Sequence, residues 1–283
     1  MLVCQGRAAA HGRIAVGRFS DPVAMDLLRD DERVVVDQVR AETPPKGWQA
    51  RMTYEFVRGC GGLMAPRTVA IDDAVLEHPA SQLVILGAGL DARAWRMPLA
   101  DTIVFEVDHP ATQADKQERI GGIPPTAQDV RFVATDFAQQ TIGEDLERAG
   151  HRSDLPSNWI WEGVVPYLTD TQVEATVDAI ARRTTPGDRL VVNYQAPSAK
   201  AGLGRMIGRA MLRAARSTDP WSAEPHRSHW TPKRLSDLLG GHGFATLRDN
   251  NLLQIAEQLE LPVSAGDLGG SLPNGHVLVA ERK

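Results

Sequence analysis

Leu83-Val84-Ile85-Leu86-Gly87-Ala88-Gly89-Leu90-Asp91-Ala92 is the stretch on which the reading of this chain turns. The apolar run Leu83–Leu86 is too short for a helix, and its β-branched residues suit a strand buried on both faces. It runs straight into Gly-x-Gly, where missing side chains let a ligand approach the backbone. The loop also satisfies G-x-G-x-x-A, and Asp108 follows at roughly the 20-residue distance of a ribose-binding acid. A nicotinamide dinucleotide is therefore one ligand such a turn accepts.

Outward from this loop, short apolar runs alternate with longer amphipathic stretches. Thr102–Val107, Val130–Ala134, Asn158–Trp161 and Arg189–Tyr194 read as strands, bounded by Gly, Asp or Pro. Ala111–Ile120, Gly143–Ala149 and Thr171–Arg183 read as helices between them, the last opened by Thr169 or Asp170 and stopped at Thr184-Thr185-Pro186-Gly187. Such alternation predicts an α/β fold, a parallel sheet doubly wound by helices. Further on, Thr231–Leu239 reads as a helix, Phe244–Leu247 as a sixth strand and Val277–Ala280 as a seventh. The stretch between the last two reads as irregular, without a crossover helix, so the final strand is expected antiparallel. The expectation is a seven-stranded, mostly parallel, Rossmann-like sheet with one reversed strand near its edge. Residues 1–80 are expected to form a helical N-terminal cap over the ligand edge, with helices at Ala24–Asp30, Arg33–Arg40, Trp48–Gly59 and Thr68–Leu76. Residues 81–283 then form the core, carrying a lid insertion at 195–230.

Composition narrows the class. The 283 residues carry 31 Lys plus Arg against 36 Asp plus Glu, a net charge of -5, which argues against a broad nucleic-acid-binding surface. With 42% apolar residues a sizeable core is available. Cys4 and Cys60 are too few for a disulfide framework. Arg7, Arg13 and Arg18 interrupt an N-terminal stretch without the apolar core of a signal peptide, and no apolar run approaches a bilayer span. A cytoplasmic protein without membrane or nucleic-acid partners is expected.

Charge bears on the ligand. Asp91 lies in the glycine turn, where a carboxylate repels a pyrophosphate but tolerates S-adenosylmethionine, whose sulfonium and ammonium are cationic. Asp108 ends the second strand and can accept two hydrogen bonds from a ribose diol, with Glu106 either assisting or paired within the protein. Asp136-Phe137 after the third strand suits an adenine, the acid taking the exocyclic amine and the ring covering the base; taken in isolation, a helix cap and a core aromatic explain the pair better. Glu162 ends the fourth strand, where a carboxylate can pair with the donor's ammonium.

Together these residues resemble the leucine carboxyl methyltransferase family, in particular its bacterial branch of S-adenosylmethionine-dependent O-methyltransferases. The resemblance runs through Phe19-Ser20-Asp21-Pro22, Arg67-Thr68 with Asp72-Asp73, Gly87 to Arg93, Phe105 to Pro110, Asp136-Phe137, and Glu162-Gly163 with Tyr167-Leu168. It implies a class I methyltransferase core and S-adenosylmethionine as cofactor. It also implies that Arg67 grips the donor's carboxylate and that Gly87, Ala88, Gly89 and Asp91 form the backbone approach. Asp108 and His109 then stand at the ribose, Asp136 and Phe137 at the adenine, and Glu162 and Gly163 at the amino-acid end.

The acceptor is expected to be a small molecule presenting a carboxylate or phenol, aromatic or polyketide-like. Tyr167, His226 and His229 are the candidate catalytic groups, with Tyr194 a further candidate. A carboxylate acceptor needs no base, whereas a phenol gains from one. Arg205, Arg209, Arg213 and Arg216 recur at helical spacing, as a solvated helix face or as attraction for an anionic acceptor. His226 and His229 lack a partnered acid or Cys, so no metal is expected. A protein C-terminal carboxylate is the alternative acceptor. A nicotinamide-dependent oxidoreductase and a non-catalytic S-adenosylmethionine-binding regulator are the alternative classes.

Overall fold

The computed structural model describes residues 1–135, 142–197, 227–262 and 272–283. Asp136, Phe137, His226, Trp221 and the four arginines of 205–216 lie outside the described residues.

Seven strands form one sheet in the order β3-β2-β1-β4-β5-β7-β6. They are β1 (Gln82–Leu86), β2 (Ile103–Asp108), β3 (Asp129–Ala134), β4 (Ser157–Trp161), β5 (Arg189–Gln195), β6 (Phe244–Asn251) and β7 (Gly275–Arg282). β1 pairs in parallel with both β2 and β4, placing Leu86 opposite Val107 on one side and Trp161 on the other. β7 runs antiparallel to β5 and β6, the one reversed strand expected near the edge. The chain winds one way from β1 to β3 and the other way from β4 onward. The crevice at the carboxyl ends of β1 and β4 is thus the place where such sheets bind ligands.

Alternation along β1 sends Leu83 and Ile85 to one face and Val84 and Leu86 to the other. The first face packs against α1 (Leu2–Ala10), α2 (Asp30–Arg40) and α3 (Trp48–Leu76), through Cys4, Ala8, Val36, Val57, Ile71 and Val75. The second packs against α6 (Ile142–Arg148), α7 (Asp170–Arg182) and the helix Pro232–Gly241, through Leu146, Val173, Val177 and Leu235. Every residue of β1 and β4 is buried, as a sheet covered on both faces demands.

Four local expectations are corrected. The helices at Trp48–Gly59 and Thr68–Leu76 are one helix, running through Gly59-Cys60-Gly61-Gly62 and Pro66. Those glycines cost helix propensity but let α1 cross closely: a Cβ on Gly61 would lie 3.2 Å from the Gly6 carbonyl oxygen, and one on Gly6 2.7 Å from Cys60 Sγ. Ala24–Asp30 is no helix. Asp21 Oδ1 accepts from Ala24 N–H at 3.0 Å and closes a single 3-10 turn at Pro22–Ala24. Leu2–Ala10, not expected as a helix, is one, and so is Leu252–Gln258 before β7, capped reciprocally by Asn251 and Gln254. Among the described residues no helix is long and apolar enough to cross a membrane.

His151 marks the pH limit of the core. It is 2% exposed, edge-on to both Phe105 and Trp159 at 5.3 Å, with Arg183 Nε donating to its Nδ1 at 3.3 Å. Burial, and then the Arg183 charge, lower its pKa from 6.5 to about 4. A base with a depressed folded pKa contributes stability that is complete above its unfolded value and lost as pH falls through the folded one. Between pH 7 and pH 4 the wild type should therefore lose up to about 3 kcal/mol more than His151→Gln, read from urea midpoints at each pH.

Candidate donor site at the carboxyl edge of the sheet

The glycine loop is anchored to β2 by Gly87 N–H and Ala88 N–H, which both donate to the Val107 carbonyl, at 2.7 and 3.2 Å. Gly87 has φ +68° and Gly89 φ +47°, left-handed conformations that favour glycine. A Cβ on Gly87 would also lie 2.2 Å from Val164 Cγ2, so the loop and the segment after β4 share a contact only glycine fits. Gly163, which begins that segment, is itself left-handed at φ +71°.

Asp108 sits under the loop. Its Oδ2 accepts from Gly89 N–H at 2.5 Å and its Oδ1 from His109 N–H at 2.6 Å. Each oxygen engages one amide and keeps acceptor capacity, so the carboxylate is oriented without being saturated. His109 caps α5 (Pro110–Ile120), its Nδ1 accepting from Ala111 N–H at 3.3 Å. Glu106 faces inward, 1% exposed, against Lys116 Nζ at 2.5 Å. Burial raises its carboxyl to about 7, although the Lys116 ammonium pulls the other way.

Asp91 requires a correction. Its carboxylate is 5% exposed and turned into the protein, where it accepts from Arg93 N–H at 2.7 Å and pairs with the Arg93 and Arg7 guanidiniums. Burial alone would raise its pKa, but Arg93 and Arg7 outweigh that and hold it below the ordinary value. It therefore presents no free negative charge to a ligand, and the expected repulsion of a phosphate by Asp91 does not operate. What a pyrophosphate lacks here is a helix: the segment after the loop, α4 (Arg93–Arg96), is four residues long and sums few peptide dipoles.

Asp91 belongs to a larger assembly. Arg93, fully buried, donates from Nε to Asp72 at 2.7 Å and from Nη1 to Glu162 at 2.7 Å. Glu162 Oε1 pairs with Arg67 Nη2 at 2.6 Å. Arg96 Nη1 holds the other oxygen of Asp72 at 2.6 Å, and Asp21 lies 3.3 Å from Arg7 Nε and 3.6 Å from Arg96 Nε. Arg7, Arg67, Arg93 and Arg96 thus face Asp21, Asp72, Asp91 and Glu162, and the formal charges cancel. Burial would raise the Glu162 pKa, but Arg67, Arg93 and Arg7 drive it far below the usual carboxylate range. Arg67 Nε is buried with no protein partner.

The structure brings Gly87, Ala88, Gly89, Asp91, Asp108, Glu162, Gly163 and Arg67 to one edge. Tyr167 stands nearby on the 3-10 turn Val165–Tyr167, half-buried. Residues 227–230 are laid against that turn by Arg227 N–H to the Pro166 carbonyl at 2.8 Å and Ser228 Oγ to the Val165 carbonyl at 3.1 Å, which carries the exposed His229 to the same region. Arg7 was not anticipated. Its only signal in the sequence is a lone cation in a stretch rich in alanine and other small residues. Among the described residues no group of three His, Cys, Asp or Glu could hold a metal.

A sequence model described as "Leucine carboxyl methyltransferase" matches residues 1–181. A Mycobacterium bovis protein (strain BCG / Pasteur 1173P2), whose name assigns it to the S-adenosyl-L-methionine-dependent methyltransferases, is 34% identical over 268 residues, covering 87% of this chain and 82% of that protein. A Mycobacterium sp. (strain JLS) protein with the same assignment is 40% identical over 135 residues, 46% of this chain and 43% of its own. In fold, the chain is similar to a solved Thermobifida fusca structure assigned as a methyltransferase, with TM-score 0.57 at 16% identity over 99% of this chain and 94% of that one. It is also similar to a DUF574 family protein of Streptomyces avermitilis, with TM-score 0.56 at 14% identity over 98% and 97%.

The contact between loop and β4 segment gives a direct test. Gly87→Ala should destabilise the fold by about 1–3 kcal/mol through overpacking against Val164, with a left-handed penalty in addition. Gly87→Ala/Val164→Ala should recover the steric part and leave the backbone part, as read from urea midpoints of the two variants.

Proposed function

Since this chain belongs to the leucine carboxyl methyltransferase family, and its relatives and fold mark it as an S-adenosylmethionine-dependent methyltransferase, we propose that it is an O-methyltransferase acting on a carboxylate or phenolic hydroxyl of a small aromatic or polyketide-like acceptor. The observation that carries the donor site is the pairing of Arg67 with Glu162 inside a charge-neutral cluster, with Arg67 Nε still unpartnered. The methionine end of the donor is a zwitterion. A guanidinium beside a carboxylate matches it, Arg67 taking the carboxylate and Glu162 the ammonium.

Asp108 supplies the second anchor. Its two oxygens, already oriented by backbone amides, accept the paired hydroxyls of a ribose. The glycine loop permits the close approach of the nucleoside between the two anchors.

The donor supplies an electrophilic methyl group on a sulfonium. In transfer the acceptor oxygen forms a bond to that carbon as the carbon–sulfur bond breaks, and the electron pair stays on sulfur, leaving a neutral thioether. The protein's part is to hold nucleophile and methyl in line, which can supply up to about 7–11 kcal/mol. An ionised carboxylate needs nothing further. A phenol loses a proton, for which His226 and His229 are the assigned acceptors, with Tyr167 a hydrogen-bonding group for the acceptor oxygen.

Calorimetric titration with S-adenosylhomocysteine, alongside NADH and NADPH on the same preparation, tests the reading. One-to-one binding of S-adenosylhomocysteine and none of the nicotinamides is expected; the reverse would sink it. Arg67→Ala and Asp108→Asn should each weaken S-adenosylhomocysteine at least tenfold, on the order of 1.4 kcal/mol. Unchanged affinity would remove the residue from the site.

A further inference from the structure

Arg7 is 3% exposed, on a helix whose remaining contacts are with the core, and none of them needs a charge there. Placing a guanidinium in such a position is costly unless the groups around it require one. Those groups are Asp21 at 3.3 Å, the Leu90 carbonyl of the glycine loop at 2.5 Å, and Asp91 at 3.9 Å. The helix is held by contacts that leave Arg7 little freedom: the Gly6–Cys60 crossing, Cys4 Sγ on the Ala24 carbonyl at 3.2 Å, and Gln5 Nε2 on the Glu32 carbonyl at 2.9 Å.

The consequence lies two contacts away. Arg93 Nη1 is shared between Asp91 and Glu162, and its Nη2 has no partner. With Arg7 present, Asp91 has a second cation and Arg93 can serve both carboxylates. Without Arg7, Asp91 relies on Arg93 alone and draws the shared nitrogen toward itself. Glu162, which already pairs with Arg67 at 2.6 Å, then loses its share of Arg93 and holds the Arg67 guanidinium more tightly, against the donor carboxylate that needs it. We propose that Arg7, on the N-terminal helix, is a positioning residue for the amino-acid end of the methyl donor, acting through Asp91, Arg93 and Glu162 to keep Arg67 available. The one contact that leads toward Asp108 is the Arg7 bond to the Leu90 carbonyl, next to the Gly89 amide that orients the Asp108 carboxylate; it carries no charge to Asp108, so the nucleoside end should respond far less than the amino-acid end.

The inference rests on the donor assignment above, and its test separates the two. Wild type, Arg7→Gln and Arg7→Lys are titrated calorimetrically with S-adenosylhomocysteine and with 5′-methylthioadenosine, which keeps the nucleoside and lacks the amino-acid end. Arg7→Gln should weaken S-adenosylhomocysteine tenfold or more and change 5′-methylthioadenosine less than twofold. Arg7→Lys, which restores the charge without the forked geometry, should recover part of the loss. Should Arg7→Gln fail to fold, Arg7→Lys carries the comparison, with a smaller loss confined to S-adenosylhomocysteine. Equal weakening of both ligands would make Arg7 a merely structural residue, and unchanged affinity for both would remove it from the relay. Either result overturns the proposal. Wild type that binds neither ligand would overturn the donor assignment itself.

Discussion

The Arg93 guanidinium, fully buried at the end of the glycine loop, joins three parts of the chain that are distant in sequence: Asp72 on α3, Asp91 in the loop and Glu162 after β4. An arginine is suited to this because its planar fork addresses several carboxylates at once and cannot be deprotonated. The same burial makes the arrangement all-or-nothing. Removing one partner from such a cluster leaves an uncompensated charge, at a cost of about 3–5 kcal/mol. Arg7 on α1, Arg67 on α3 and Glu162 after β4 are tied together by this set of charges.

Around that cluster the sheet does the coarse placement. Because β1 pairs in parallel with both β2 and β4, their carboxyl ends arrive at one edge, and the residues that follow them become neighbours without any local sequence relation. Gly87 makes the final approach possible, since a side chain there would meet Val164. Asp108 is oriented by the amides of Gly89 and His109, so its geometry is set by the loop and not by a long side chain searching for a partner. The edge is therefore charge-balanced at Arg67 and Glu162 and acidic at Asp108, with backbone between.

A division of labour follows. The groups proposed to address the donor sit on the rigid edge of the sheet and in the buried cluster. The groups assigned to the acceptor, Tyr167 and His229, stand on a short turn and on the segment laid against it, where they are half-buried or exposed. A scaffold of this kind keeps donor geometry fixed while the acceptor side varies with the segments that follow β4 and β5.

The central strands β1, β2, β4 and β5 were legible in the sequence because each is a short apolar run covered on both faces, and burial of that kind marks the composition. The reversed β7 was legible too, since no full crossover precedes it, although the short helix Leu252–Gln258 was hidden by its length. Gly87 and Asp108 announced themselves by position, at the end of a strand, where chemistry and topology coincide. Tertiary structure decided what depends on partners remote along the chain. Trp48–Leu76 reads as two helices because Gly61 and Pro66 oppose helix locally, and only packing against α1 makes it one. Asp91 reads as a charge offered to a ligand, but Arg7, 84 residues earlier, and Arg93 turn it inward. A carboxylate's composition is the same whether it faces solvent or a guanidinium, and its energy differs by the whole cost of burial; local sequence records the first, and the fold alone determines the second.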